Sequence, residues 1–257
     1  MVCSATGRPA GGGERFLERL DHRGGSVRRV FKIGCLGLIG ALAALAAWFF
    51  LYAWDTETAR YKLTYSLEVD GETRSGASVV QVRWEDTTRL PLPNTGVGNH
   101  VTGEAVVVDL GKGRYLFALL TGVSPDALVL YGFDTQFRPL IHEGTKYPSV
   151  MAYVRHLNRV KPKTQLPSAK SPLLVTFDDI ADPKTVKHVD PDDLAASFGP
   201  GVALKSVTLE ITDEKVTEGR IEQVLGWFGD GKTLKGMWST LTPEQHDLLS
   251  SVNWKKE

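Results

Sequence analysis

The sequence predicts an α+β protein: one N-terminal transmembrane helix followed by an extracytoplasmic domain with an antiparallel β-meander and several short helices. Three observations support this class. Residues 33–54 contain no charged side chain, as a membrane span requires. Apolar and polar residues alternate over 62–69, a strand pattern, whereas apolar residues recur at helical spacing over 149–160. We therefore divide the chain into a tail (1–32), a transmembrane helix (33–54) and a domain (55–257).

The tail is basic and rich in Gly and Arg. Residues 1–32 contain seven Lys or Arg and three acidic side chains, so we expect this segment to be disordered and cytoplasmic. Arg28, Arg29 and Lys32 are expected to lie near anionic headgroups of the lipid bilayer. The tail is short and poor in aromatic residues, which argues against nucleic-acid binding.

The uncharged segment has the length of a membrane span. Its 22 residues would form a helix of about 33 Å, enough for a hydrocarbon core of about 30 Å. Aromatic residues gather at its outgoing end, from Trp48 to Trp54, as they do at membrane interfaces. The alternative is a cleaved signal peptide, because Ala44-Leu45-Ala46 resembles a cleavage site. Cleavage there would leave Trp48–Tyr52 at a hydrophobic new terminus, so we favour a retained anchor.

Small residues on this segment suggest a helix-association face. Gly37 with Ala41, and Gly40 with Ala44, form two small-xxx-small pairs that would let another helix approach closely. Gly and Ala are also common filler in membrane helices, which is the simpler interpretation.

The first half of the domain is predicted to be a four-strand antiparallel meander. Strand 62–69 ends at an Asp70-Gly71 turn, and a partner strand around 80–84 is expected after a loop longer than two residues. A polar loop with two prolines follows over 85–100. Residues 101–110 and 114–120 flank Gly111-Lys112-Gly113, which predicts a tight hairpin.

The second half is predicted to mix helices and strands. After the helix at 149–160 come a short buried strand at 173–177 and a longer strand at 202–211, with an irregularity near Lys205 and Ser206. Helices are expected at 217–228 and 242–251. The last helix has Thr242 at the cap position, which would satisfy free backbone donors.

One segment matches a phosphate-binding motif. Residues Gly226 to Thr233 fit Gly-x4-Gly-Lys-Ser/Thr. That motif needs a buried strand before the loop, a long helix after it and a later acidic strand end to hold magnesium. The surrounding sequence predicts a helix before it and interruptions at Gly236 and Pro243 after it. We therefore expect a glycine-rich turn and no nucleotide.

Two acidic clusters could supply oxygen ligands for calcium, but they lack regular ligand spacing. We expect Asp190 to cap a short helix with Pro191 at its first position and Gly199 at its end. The other cluster, Asp178, Asp179 and Asp182, is expected in a turn after a strand.

No catalytic, cofactor-binding or metal-binding residue is predicted. The five histidines of the domain lack the spacing of a metal pair: His100, His142, His156, His188 and His246. The domain has no cysteine for thiol chemistry and no Gly-x-Ser-x-Gly elbow.

The expected location and function follow mainly by exclusion. A domain without cysteine or glycosylation sequons favours a bacterial envelope protein. We expect a single-pass inner-membrane protein with a cytoplasmic N-terminus, whose periplasmic domain binds or scaffolds another membrane or envelope protein without catalysis. The alternative is a membrane-anchored periplasmic hydrolase whose site is assembled only in the fold; His142, His156 and the Asp178 cluster would be the first residues to inspect.

Overall fold

A computed structural model of the chain describes residues 37–49, 54–90, 93–133, 147, 149–229 and 232–256. The chain divides into two units, residues 1–54 and 55–257. In the first unit, residues 37–49 form helix α1, which is uncharged and exposed along its described length. No helix within the described ranges is long and apolar enough to cross a membrane. The ends of the predicted span, 33–36 and 50–53, lie outside those ranges, so the span remains a prediction.

The second unit confirms the α+β class, with antiparallel sheets and several short helices. Its strands are β1 (Asp55–Val69), β2 (Glu72–Asp86), β3 (Val97–Glu104), β4 (Val106–Gly111), β5 (Arg114–Ala118), β6 (Lys163–Leu166), β7 (Leu174–Phe177), β8 (Val186–Val189), β9 (Val202–Ile211) and β10 (Lys255–Lys256). Its helices are α2 (Pro125–Tyr131), α3 (Val150–Val160), α4 (Leu194–Phe198), α5 (Arg220–Val224), α6 (Thr233–Met237), α7 (Pro243–Leu249) and α8 (Ser251–Trp254).

A six-stranded antiparallel sheet has the order β10-β3-β2-β1-β9-β6. Its centre is the long β1–β2 hairpin, in which Val69 lies opposite Glu72. The connection is therefore only two residues long, and Asp70 and Gly71 both have positive φ, as a type I′ turn requires. The predicted longer loop is wrong because the first part of β2 is polar and exposed, so it shows no apolar alternation.

Strand β9 pairs with β1 on the other side of the hairpin and contains the predicted irregularity. Ser66 lies opposite Ser206, but Leu67 lies opposite Leu204. Lys205 is therefore the extra residue of a β-bulge, which confirms the sequence interpretation.

The predicted four-strand meander is wrong in one respect, because its strands belong to two sheets. Strands β1, β2 and β3 form a meander in the first sheet, whereas β4 and β5 belong to a four-stranded antiparallel sheet of order β4-β5-β7-β8. The chain changes sheet at Ala105, between β3 and β4. The sequence does not mark this change, since the residues on either side are compatible with one continuous strand. The predicted hairpin after β4 is confirmed, with Lys112 and Gly113 at its turn.

The four-stranded sheet is buried on both faces. Leu116 and Ala118 of β5 belong to a core shared with the six-stranded sheet and helices α2 and α3. Phe117 belongs to a second core, shared with the C-terminal helices. This explains why β7 and the end of β5 are buried at every position rather than at alternate positions. The second core is aromatic, and Phe117 packs edge-on against Trp254 with ring centroids 5.2 Å apart.

Gly76 allows the two sheets to approach closely. A Cβ atom at this position would lie 2.0 Å from the carbonyl oxygen of Val107, and that oxygen belongs to the backbone of β4. Only a residue without a side chain fits here. Gly76 therefore determines how near β4 can lie to β2.

Two helix starts confirm the sequence interpretation. Helix α3 begins at the cap Ser149, whose side chain accepts a hydrogen bond from the Ala152 N–H. Helix α7 has a complete capping box, in which Thr242 and Gln245 each accept from the other's backbone N–H.

Two predicted helices need correction. The helix expected over 217–228 is limited to α5, and a turn follows at 226–229. Helix α4 is capped by Asp193, whose side chain accepts from Ala196, rather than by Asp190. Asp190 instead accepts from the Asp192 N–H in the preceding turn, because Pro191 and Asp192 form a turn before the helix begins.

Candidate docking site

Strand β3 has an open edge. Its residues 97–102 pair with β2 on one side, but on the other side β10 covers only Gly103 and Glu104. Among the described residues, no strand lies opposite the segment Val97–Val101 on that side. We call this segment the β3 edge. Such an edge presents unpaired backbone groups that can template another strand.

The hydrogen-bond pattern identifies which backbone groups face outward. Residues of an antiparallel strand bond alternately to their two neighbours. The Ala105 N–H donates to the Trp254 carbonyl, on the β10 side, whereas the Gly96 carbonyl accepts from Thr87, on the β2 side. Odd-numbered residues therefore point away from β2. The N–H and C=O groups of Val97, Asn99 and Val101 face the open side.

A cleft of about 750 Å³ lies beside the β3 edge. Six of its lining residues combine apolar and polar chemistry: Asn99, His100, Phe228, Val252, Glu222 and Lys256. Val252, which lines the cleft, is 59% exposed, and Val97 on the β3 edge is 47% exposed. Exposed large apolar side chains of this kind occur on interaction surfaces.

The charges of the cleft are partly balanced within it. Lys255 Nζ lies 3.1 Å from Glu222 Oε1, which leaves Glu222 Oε2 buried and without a hydrogen-bond partner among the described residues. Lys256 forms no ion pair with any residue that the structure describes. The cleft therefore offers the Lys256 cation to a partner, whereas the Glu222 carboxylate is buried and paired with Lys255.

Glu104 fixes the wall of the cleft that carries α5. Its side chain is fully buried, and both carboxylate oxygens accept from the Arg220 N–H, at 3.0 and 3.2 Å. Arg220 is the first residue of α5, so the carboxylate satisfies free donors at the helix start. Burial is the largest influence on the carboxyl and raises its pKa, although the backbone hydrogen bonds oppose that shift.

The phosphate-motif match does not have the surroundings of a phosphate site. Helix α5, rather than a strand, precedes it, and residues 226–229 form a turn. Trp227 packs in the second core and donates from Nε1 to the Ile180 carbonyl at 2.9 Å. Asp230 and Gly231 lie outside the described residues. The short helix α6 that follows is only five residues long.

The aspartates after β7 are turn residues, as predicted. Asp178 pairs with Lys187, Asp179 accepts from the Ala181 N–H at 2.9 Å, and Asp182 accepts from the Lys184 N–H at 3.0 Å. Within the described ranges, no group of three or more His, Cys, Asp or Glu side chains is arranged to hold a metal ion.

The histidines considered for a hydrolase do not meet in the described part of the chain. His156 lies on α3 with its ring 5.1 Å from that of Tyr147, and no hydrogen bond joins it to the Asp178 cluster. His142 lies outside the described residues. His246 contacts Trp238, with ring centroids 4.4 Å apart, and His188 is exposed on β8.

A second cleft of about 460 Å³ lies beside β9 and the start of α4. Its acidic residue Asp193 already accepts a backbone hydrogen bond as the cap of α4. The cleft beside the β3 edge is the better candidate, because it is the larger of the two, at about 750 Å³.

The predicted helix-association residues lie on α1. Gly37, Gly40, Ala41 and Ala44 are all exposed, and a Cβ atom at either glycine would meet nothing within 4 Å. There is thus space for close approach at these positions, and the association face remains a prediction.

The sequence did not identify the β3 edge, because its residues lie at the end of a polar stretch containing Pro and Gly. Val97, Asn99 and Val101 do alternate with Gly98 and His100, but a single valine before position 101 is a weak strand signal.

No protein-family model matches the sequence, and searches of curated proteins and of solved structures give no match.

Proposed function

We propose that this chain is a single-pass, membrane-anchored protein whose domain binds or scaffolds a cell-envelope partner without catalysing a reaction. The β3 edge is the observation that carries the binding function. Its outward backbone groups and the adjacent cleft are suited to strand addition, in which main-chain hydrogen bonds hold an extended partner and neighbouring pockets select its side chains.

The anchor is supported by α1. Its described residues, 37–49, are uncharged and exposed all round, whereas a helix of a globular protein normally buries an apolar face. A lipid environment would cover this surface. We further propose that the protein lies in a bacterial inner membrane with its N-terminus in the cytoplasm and its domain in the periplasm, because the basic residues precede the uncharged segment.

A non-catalytic role is supported by what the titratable residues do. Asp179 and Asp182 accept backbone hydrogen bonds in turns, and His156 and His246 pack against aromatic rings. These contacts stabilise the domain. These side chains therefore have a structural role that involves no substrate.

The topology can be tested with reporters fused after residue 257 of the full chain. The proposal predicts that an export-dependent phosphatase is active there and that a cytoplasmic fluorescent reporter is dark. The opposite pattern would contradict the proposed orientation.

A matched variant tests the anchor itself. Replacing Leu42 and Leu45 with Arg should release the protein from membranes, because each charge costs about 2.5–3.5 kcal/mol at the centre of a span. Replacing the same residues with Ile should leave it in the membrane fraction. Equal retention of the Arg and Ile variants would show that α1 is not the anchor.

A further inference from the structure

We propose that the β3 edge pairs with the same edge of a second copy of this chain, which joins two six-stranded sheets into one. The inference deepens the proposed function, on which it rests, by naming the occupant of the edge. It is supported by the register of the outward backbone groups, by the order of the side chains and by the absence of charge on the edge.

The outward backbone groups match a two-fold antiparallel register centred on Asn99. In this register Asn99 lies opposite Asn99 of the second copy, and Val97 lies opposite its Val101. Residues that face outward then exchange both hydrogen bonds with their opposite residues. Each copy supplies N–H and C=O groups from Val97, Asn99 and Val101. All of these groups are paired when the two edges meet.

The side chains of the edge are also complementary to themselves. Read at every second position, the edge is Val-Asn-Val in both directions, so an antiparallel copy places valine beside valine. At the intervening positions Gly98 lies opposite His100, which gives the imidazole ring room. A closed two-fold pair requires this kind of self-complementary surface.

The edge lacks the residues that usually prevent such pairing. Proteins commonly protect exposed strand edges with charged side chains or proline, but Val97–Val101 contains neither. Val97, which is 47% exposed, would lie beside Val101 of the second copy, which is 8% exposed.

Cysteine cross-linking of the full chain in membranes tests the register. In a background in which Cys3 and Cys35 are replaced by Ser, Asn99→Cys should form a covalent dimer on mild oxidation. Two differently tagged copies should both be found in that dimer. The Cα atoms of opposed, hydrogen-bonded residues lie about 5.5 Å apart, which is within disulfide range.

Two matched controls make the test specific. Val97→Cys should give at least about tenfold less dimer, because the two Val97 positions would be about 14 Å apart at a rise of about 3.4 Å per residue. His188→Cys, at an exposed position of β8, should give as little dimer as Val97→Cys. Absence of the Asn99→Cys dimer, or equal dimer from Val97→Cys, would overturn the proposed self-pairing.

A proline variant gives an independent measurement. Because the Asn99 N–H faces away from β2, Asn99→Pro removes an outward donor and leaves the β2–β3 hydrogen bonds in place. We expect about tenfold weaker self-association by light scattering of the detergent-solubilised full chain, with unchanged circular dichroism. Unchanged self-association would overturn the proposal.

Failure of this inference is distinguishable from failure of the proposed function. If a photoreactive residue at position 99 joins the chain to a different protein and the cysteine dimer is absent, self-pairing is overturned but partner binding at the β3 edge stands. If neither adduct forms, self-pairing and partner binding at the edge are both overturned.

Discussion

At the scale of single residues, Glu104 links the edge strand to the C-terminal helices. It ends β3, its side chain is fully buried and its carboxylate accepts from the start of α5. Its own carbonyl also accepts from Ser78 Oγ at 2.7 Å. A buried carboxylate is tolerated only because backbone donors surround it.

Glu104 predicts a specific pH dependence of stability. Burial raises the pKa of the folded carboxyl above its unfolded value, so the folded state binds the proton more tightly. The contribution of this group to the free energy of unfolding is therefore fully present below about pH 4.5 and is lost as the pH rises through the raised pKa. Glu104→Gln removes this titration.

Urea unfolding of the full chain in detergent at pH 4 and pH 7 checks this prediction. The free energy of unfolding of Glu104→Gln, measured relative to that of the wild type, should be higher at pH 7 than at pH 4. The comparison cancels the pH-independent cost of losing one acceptor oxygen. An identical difference at both pH values would contradict the assigned titration.

Gly76 predicts a large effect of one methyl group. Gly76→Ala would place a Cβ atom 2.0 Å from the Val107 carbonyl oxygen, so β4 would have to shift. We expect a loss of about 1–3 kcal/mol in the free energy of unfolding, measured by urea titration. Gly98→Ala, also in a strand but with nothing within 4 Å, should change it by less than about 0.5 kcal/mol. Similar losses in both variants would contradict the close approach.

At the scale of elements, the sequence predicts those whose pattern repeats. The alternation in β1, the spacing in α3 and the cap signals of α7 were sufficient to predict these elements. Each pattern reflects either one buried face or the free backbone N–H groups at a helix start. The change from one sheet to the other at Ala105 and the short length of α5 could not be predicted. Both depend on which distant surface packs against the segment, and local sequence does not contain that information.

The cap of α7 predicts a measurable contribution to stability. Thr242→Ala removes one half of the capping box with Gln245, so we expect a loss of about 1 kcal/mol in the free energy of unfolding. Ser75→Ala, at an exposed position of β2, is the control and should have little effect. Equal stability of the Thr242→Ala variant and the wild type would show that this cap is not needed.

The candidate site was less predictable than the elements around it. Lys256 and Asn99 are far apart in sequence and line one cleft only because β10 pairs with β3. The sequence could exclude motifs with required spacing, such as the phosphate loop. It could not identify an open edge, because an edge is defined by the strand that is not beside it.

At the scale of the whole molecule, the chain consists of two chemically different units. Residues 1–54 contain a basic tail and an uncharged segment, whereas residues 55–257 contain an acidic excess and two hydrophobic cores. The proposed function assigns the first unit to the membrane and the second to a partner. The overall charge of zero conceals this division.

Photo-crosslinking at position 99 in intact membranes tests the binding function most directly. The proposal predicts that a photoreactive amino acid replacing Asn99 gives a discrete adduct, of twice the chain mass if the occupant is a second copy, and that the same substitution at His188 gives none. Absence of an adduct at position 99, or equal adducts at both positions, would contradict the assignment of the β3 edge as the docking site.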